Sequence, residues 1–470
     1  MRQCNLGCKA RQVQSVRQKM VHQEGMPFAD LLGLEWVAAI VQEEVKVWRE
    51  CVYTPLVTIH TFLTQVLSAE QCCLAAVARL LAFLASRGRR LCSPKTDPYC
   101  KARMRLPEEL LRRLVQESGR QLEKQGSQDR LLGGRPIKLI DGSTVSMPDT
   151  KANQRAYPQS NTQQPGVGFP IARIVAVLSF SCGAVLGLAV GPYKGKRTGE
   201  PALFRQLWNC LAPGDVAVAD CCYGSFWTFA MLRARGVASV FPLHQLRECD
   251  FRRGRRLGKE DRLVTWSKPV QRPEWMNRKT YNALPTNLEL REVRIHIAQP
   301  GFRTESLVLA TTLLDAEEVT CSVLADVYRI RWHAELDLRS IKVTMQMDVL
   351  RCKTPEMVRK EIWTHLLAYN FIRTLMAQAA VGLGVPPREL SFSGALQTFN
   401  AFCPMLQLAT TTDLQSTLWR SMLAAIGSHR VGQRPNRVEP RAIKRRPKCH
   451  KLLTIPRKEA RKQLLQGTYS

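Results

Sequence analysis

Acidic residues are scarce in this chain: 470 residues carry 39 Asp and Glu against 69 Lys and Arg, which leaves a formal charge of +30. A deficit of that size turns the search for a partner toward polyanions, because nucleic acid sheds condensed counterions when Lys and Arg neutralise its phosphates. Long apolar runs are missing too. The longest, Ile174 to Val190, is short for a spanning helix and is broken by Ser179, Ser181, Gly183 and Gly187. This argues against a membrane as the polyanion and predicts two buried strands around a turn at Ser181 to Gly183. The N-terminal MRQCNLGCKARQVQSVRQ has no apolar segment behind its basic residues, so no secretory signal is read there and the cytosol is the expected compartment. Cysteine is plentiful, at 16 residues, but metal-ligand spacing is not. Cys4 with Cys8, or Cys210 with Cys221 and Cys222, would be half of a zinc site; no second CxxC or HxxxH pair completes either, and reduced thiols are expected.

Composition divides the chain into six parts, with no internal repeat. Residues 1–130 read as helical, since FADLLGLEWVAAIVQEEV, TIHTFLTQVLSAEQCCLAAVARLLAFLA and PEELLRRLVQESGRQLEK carry apolar residues at three and four spacing. The basic loop SRGRRLCSPKTDPYCKARMR between the last two suits a DNA backbone, or equally a solubilising role. Over 131–245 strands and helices alternate. RPIKLID is a strand ending in an acid, IARIVAVLSF and AVLGLAVGPY are its hairpin neighbours, ALFRQLWNCL is a helix, DVAVAD a second strand ending in an acid, FWTFAMLRARG a helix and ASVFPLH a strand. That order is the order of a ribonuclease-H-like α/β core. Residues 246–315 interrupt it with a basic, β-rich insertion, and 316–355 resume it with a long helix. Residues 356–430 hold further helices, PEMVRKEIWTHLLAYNFIRTLMAQAA and ATTTDLQSTLWRSMLAAIG. Residues 431–470 form a basic tail containing PRAIKRRPKCHK, expected to be a flexible arm on DNA.

The long helix carries the most informative pattern. In YRIRWHAELDLRSIK, Tyr328, Arg331, Glu335 and Lys342 are spaced to fall on one helix face, within a sector of roughly 60° at about 100° per residue. A metal-binding acid flanked by phosphate-binding groups has this composition. So does a solvated face, because Arg331 and Glu335 also form an ordinary i,i+4 ion pair.

Asp141 closes IKLID and Asp220 closes DVAVAD, and in open α/β sheets reactive groups gather where strands end. Two such aspartates with Glu335 on a nearby helix would hold two Mg²⁺ or Mn²⁺ ions for displacement at phosphorus. Hard, oxygen-preferring ions account for carboxylates in place of the many cysteines. An Asp at a strand end is also a common turn-former. Asp149 and Asp215 compete within the same segments but sit in loops with Pro or Gly.

The stripe Tyr328, Arg331, Glu335, Lys342 resembles the YREK motif of the insertion-sequence-4 family of DDE transposases, with all three spacings intact. Asp141 in IDGSTVSMPDT and Asp220 in ADCCYGSF are similar to that family's first and second catalytic aspartates, and the β-rich insertion matches as well. The resemblance covers about 135 to 355 and, less specifically, the helical N-terminus. It implies a cut-and-paste enzyme of the bacterial cytosol that binds terminal inverted repeats and target DNA as a homodimer, cleaves, forms a hairpin, opens it and joins the ends. It also implies a metal site of Asp141, Asp220 and Glu335, and a phosphate grip of Tyr328, Arg331 and Lys342. Trp266 and Trp275 are candidates to hold a flipped base. One departure is that Cys221 and Cys222 follow Asp220 where a basic residue is frequent. A transposase-derived DNA-binding protein that no longer cuts, and a metal-dependent nuclease of the same fold, are the alternatives.

Overall fold

The computed structural model describes residues 35–48, 51–125, 132–244, 247, 249–296, 306–409, 411–432 and 453–468. Cys4, Cys8 and the PRAIKRRPKCHK stretch lie outside the described residues. The chain is a mixed α/β protein of two compact units: residues 1–126, 182–186 and 339–431 form one, and 127–181, 187–338 and 432–470 the other.

The first unit is helical. α1 (Glu35–Glu44), α2 (Pro55–Leu67), α3 (Cys73–Ser86), α4 (Asp97–Arg105) and α5 (Glu108–Gln125) precede the sheet. The expected single stretch from Thr58 is thus two helices, and the second half of the expected basic loop is α4. Thr54 starts α2 by accepting the Val57 N–H, with Pro55 at the first helical position, where its missing N–H costs nothing.

Against these helices packs α12 (Pro355–Leu383), which touches α2, α5, α13 (Phe392–Leu408) and α14 (Thr412–Ser428). Among the described residues α12 alone is long and apolar enough to cross a membrane, and 67% of its most apolar window is buried. Its polar residues are placed for a protein core. Asn370 Nδ2 donates to Val115 O, Ser118 Oγ and Val185 O, while its Oδ1 accepts the Val185 N–H. Helix α13 was not foreseen from the sequence, and Pro404 lies inside it.

The second unit is built on a nine-stranded sheet in the order β3-β2-β1-β4-β5-β9-β8-β7-β6. The strands are β1 (Ile137–Ser146), β2 (Ile171–Ser179), β3 (Val185–Pro192), β4 (Val216–Val218), β5 (Ala238–Pro242), β6 (Arg255–Gly258), β7 (Asp261–Ser267), β8 (Asn287–His296) and β9 (Ser306–Thr311). β1 runs antiparallel to β2 and parallel to β4, which is parallel to β5. The turn between β2 and β3 falls at the expected serine and glycine, with Gly183 at φ +77°, a conformation that favours a residue without Cβ. α6 (Lys151–Ala156), α7 (Glu200–Arg205) and α8 (Phe226–Arg233) connect these strands. β6 to β9, with α9 (Arg278–Ala283), supply the β-rich segment expected after residue 246. They join the main sheet, since β9 pairs antiparallel with β5.

Buried charge cross-ties this extension. Arg291 reaches Asp261 at 2.5 Å and Arg262 reaches Glu292 at 2.5 Å, joining β7 to β8. Loss of one partner would strand a buried charge and cost about 3–5 kcal/mol. Two helices then follow, α10 (Cys321–Arg329) and α11 (Trp332–Arg339), leading into a π-helical turn at Ser340–Thr344, and α15 (Arg457–Leu465) lies near the C-terminus.

Candidate active site

The parallel register of β1 and β4 levels the two aspartates. Leu139 pairs with Val218, so Asp141 and Asp220 each stand two residues further along neighbouring strands. β1 does not end at Asp141, as its sequence suggested. It continues to Ser146 because β2 still pairs with it there, Asp141 lying opposite Ala176, while β4 has already turned away. Asp220 caps a short 3₁₀ turn, Cys221–Tyr223, its Oδ1 accepting the Cys221 N–H at 2.6 Å. Asp141 Oδ1 likewise accepts the Gly142 N–H at 2.9 Å.

The stripe does not lie on one helix face. Tyr328 is on α10 and Glu335 on α11, and between them Arg331 N bonds Tyr328 O, His333 N bonds Ile330 O and Ala334 N bonds Arg331 O. These i→i+3 bonds tighten the backbone and break the 100° rotation on which the expected sector depended. Beyond α11, Met345 N reaches Ser340 O, the wider spacing of a π turn, and Lys342 sits there, in the first unit. Burial lowers the Lys342 ammonium, with Asp348 opposing.

Arg331 nevertheless holds three of the four residues together. Its Nη2 donates to Glu335 Oε1 at 2.9 Å, with the side chains 17% and 37% exposed, and its Cζ lies 5.7 Å from the Tyr328 ring centroid. Burial alone would lower the Arg331 guanidinium; the fields of Tyr328, Asp220, Glu335 and Asp141 hold it above its ordinary value. Burial pushes the Asp141 carboxyl up to about 6, the Gly142 N–H and Arg331 pull it down, and Glu335 and Glu200 add to the rise. Burial also raises the Tyr328 phenol, with Arg331 opposing and Asp220 and Cys221 adding. His333, on α11, packs its ring 5.5 Å from that of Phe180, which follows β2.

The sequence of residues 132–371 matches the family of the Transposase DDE domain. The chain belongs to that family. This transposase is 28% identical over 368 residues to "Transposase InsG for insertion sequence element IS4" of Escherichia coli (strain K12), covering 76% of this chain and 78% of that relative. It is 36% identical over 82 residues to "Putative transposase InsL for insertion sequence element IS186A" of the same organism, covering 17% and 21%. Among solved structures it matches a piggyBac transposase synaptic complex with hairpin DNA, at TM-score 0.39 and 9% identity, over 83% of this chain and 88% of that one. The resemblance to insertion-sequence-4 transposases read from the YREK spacing therefore holds.

The rival acids of the transposase have structural partners. Asp215 accepts the Ala212 N–H and pairs with buried Lys138 at 3.4 Å; Asp149 accepts from Gln154. Trp266 is 5% exposed, bonded to Glu292 and covered by Arg247, and Trp275 is half-buried under Arg205, so neither ring stands open. Among the described residues no three His, Cys, Asp or Glu side chains converge as ligands of one ion. Two residues that adjoin the aspartate segments were not singled out from sequence. Glu200, the first residue of α7, lies against Gly142, and Tyr223 donates to its Oε2 at 3.2 Å. Tyr223 stands three residues after Asp220, a spacing that could have drawn attention; Glu200 sits in a plain RTGEP helix start.

Proposed function

We propose that this transposase recognises the terminal inverted repeats of its element as a homodimer in the bacterial cytosol, and that it cleaves and rejoins DNA at the cluster of Asp141, Asp220 and Glu335. The observation that carries the reading is Arg331, one guanidinium in the field of all three carboxylates. A cluster that attracts one buried cation suits others, and hard carboxylate donors suit Mg²⁺ or Mn²⁺. Asp141, Asp220 and Glu335 would hold two such ions, which supply activation of the attacking oxygen and stabilisation of the leaving 3′-oxygen.

The chain's own groups bind and orient the DNA. Arg331, on leaving Glu335, has a planar fork that clamps a phosphate with two hydrogen bonds; Tyr328 donates one more from its hydroxyl, and Lys342 adds a point charge. Strand hydrolysis, hairpin formation, opening and joining to target DNA complete the reaction. The antiparallel β3-β2-β1 strands followed by parallel β4 and β5 support a ribonuclease-H-like core. The helices before residue 130 are assigned to DNA binding and those of 356–430 to dimerisation.

Replacement Glu335→Ala tests the reading, because it removes a carboxylate while leaving the basic groups in place. Gel-shift and cleavage assays on the same end-bearing duplex should show retained end binding with cleavage abolished. Parallel loss of both, or full cleavage, would remove Glu335 from the reaction.

A further inference from the structure

The π turn that carries Lys342 is supported from outside its own helix. Its wide closure, the Met345 N–H on Ser340 O at 3.0 Å, is a rare geometry that recurs at functional sites. Just beyond it the chain doubles back. Gln346 is left-handed at φ +56°, and the Asp348 N–H returns to the Lys342 carbonyl at 3.2 Å. Ile341, Met345 and Met347 are buried beside the reversal.

The support comes from Gln71, in the turn between α2 and α3. Its side chain is buried, and Nε2 donates to Met345 O at 2.7 Å and to Val66 O at 3.2 Å. Its backbone is held on both sides, the N–H by Ser68 Oγ at 3.1 Å and the carbonyl by Gln65 Nε2 at 3.0 Å, and it sits at φ +48°. A residue with a Cβ is strained in that region and stays there when its surroundings over-determine it, as they do at functional sites. One residue earlier, Glu70 O accepts from Arg351 Nη1 at 2.7 Å, so the same turn ties both ends of the 345–351 segment.

We infer that Gln71 is a positioning residue for Lys342: by holding the Met345 carbonyl it sets the π turn so that the ammonium is presented to a phosphate of the cleaved end. The inference deepens the reading of Lys342 as part of the phosphate grip and rests on it. An amide that served only the fold would matter whatever residue stood at 342. A positioning amide matters to DNA only while Lys342 is there.

The test is a double-mutant cycle on the full-length protein, with binding of a cleaved-end duplex read by fluorescence anisotropy and melting temperature as the control for folding. Gln71→Asn keeps an amide and tolerates the left-handed backbone, but is one methylene shorter and withdraws the donor from Met345 O; Gln71→Met keeps the bulk and loses the donor. Each should weaken the cleaved end by about 5- to 30-fold in the parent and by less than about 2-fold in the Lys342→Ala background, with binding of an unrelated duplex unchanged. Either variant decides the matter if the other does not fold. Wild-type affinity in the Gln71 variants alongside weak binding in Lys342→Ala overturns the role of Gln71 and leaves the grip standing. Equal loss in both backgrounds shows that the amide serves the fold alone, and also overturns the inference. Wild-type affinity in Lys342→Ala overturns the phosphate contact of Lys342 on which the inference rests.

Discussion

A Cβ at Gly142 would meet the end of the Glu200 side chain. The constraint comes from the Glu200 carboxylate, which a Cβ would displace, and with it the Tyr223 bond that steadies the turn after Asp220. Because that carboxylate is the far end of a flexible side chain, Gly142→Ala should cost no more than about 1 kcal/mol in a denaturant melt, the net worth of the Tyr223 hydrogen bond it puts at risk. A loss well above that would mean that the Glu200 carboxylate is held rigidly against β1. Residues of this kind are hard to read from a sequence, because the contact joins positions 58 apart through two different elements. Asp141 and Asp220 were legible since each closes a short apolar run, and Glu335 since Arg331 and Tyr328 precede it at fixed spacings. Glu200 has no such neighbourhood. The acids that competed with them, Asp149 and Asp215, are separated only by partners that folding supplies, Gln154 in one case and Lys138 in the other.

Elements were legible where period and burial agree. β2 and β3 with their glycine turn, the β1-β4-β5 alternation and α12 all follow from apolar patterns, whereas the break between α10 and α11 does not, because YRIRWHAELDLR keeps a helical pattern through it. The backbone there shifts to i→i+3 bonds at residues 328–334, a tertiary choice that leaves Arg331 reaching Glu335 in spite of the turn. Helix α12 illustrates the converse: its pattern is apolar nearly all round, so it must be buried, and polar groups on it are then held in unusual states. His365 is fully buried, its Nδ1 has no hydrogen-bond partner, and burial, with Arg351 adding, lowers its imidazole to about 3. Below its ordinary value of 6.5 the unfolded chain takes up a proton that the folded chain refuses, so stability from this group is complete above that pH and is lost as pH falls toward 3. Glu361, one turn earlier and raised by burial, works in the opposite sense: its contribution is present at low pH and lost as pH rises through its folded value. Comparison of His365→Gln with the parent isolates the histidine. The fall in unfolding free energy from pH 7 to pH 5 should be smaller in the variant by about 2 kcal/mol, read from denaturant melts at the two pH values. An equal fall in both proteins would show that His365 is protonated in the folded state.

For the molecule as a whole, the governing quantity is the excess of positive charge, +30 over 470 residues. Under the proposed function that charge falls into two classes with different salt signatures. Lys and Arg spread over the surface steer any duplex toward the protein, and their effect fades as the Debye length shrinks from about 10 Å at 0.1 M salt. Groups that neutralise individual phosphates release counterions, and each contributes about 0.9 to the slope of log affinity against log salt on duplex DNA. Arg331 in the DNA-free protein is paired with Glu335 in the field of the two aspartates, so an internal contact must be exchanged for its phosphate contact and its effect on the slope is mixed. Lys342 lies on the π turn, where burial lowers its ammonium. A phosphate favours the charged form of this half-buried lysine and so opposes the effect of burial. Lys342→Ala should therefore weaken binding of a cleaved transposon end and reduce the salt slope by about one, while binding of an unrelated duplex keeps its slope. Fluorescence anisotropy over a salt series measures both. A slope unchanged on the cleaved end would mean that Lys342 meets no phosphate, and the phosphate grip would then consist of Tyr328 and Arg331 alone.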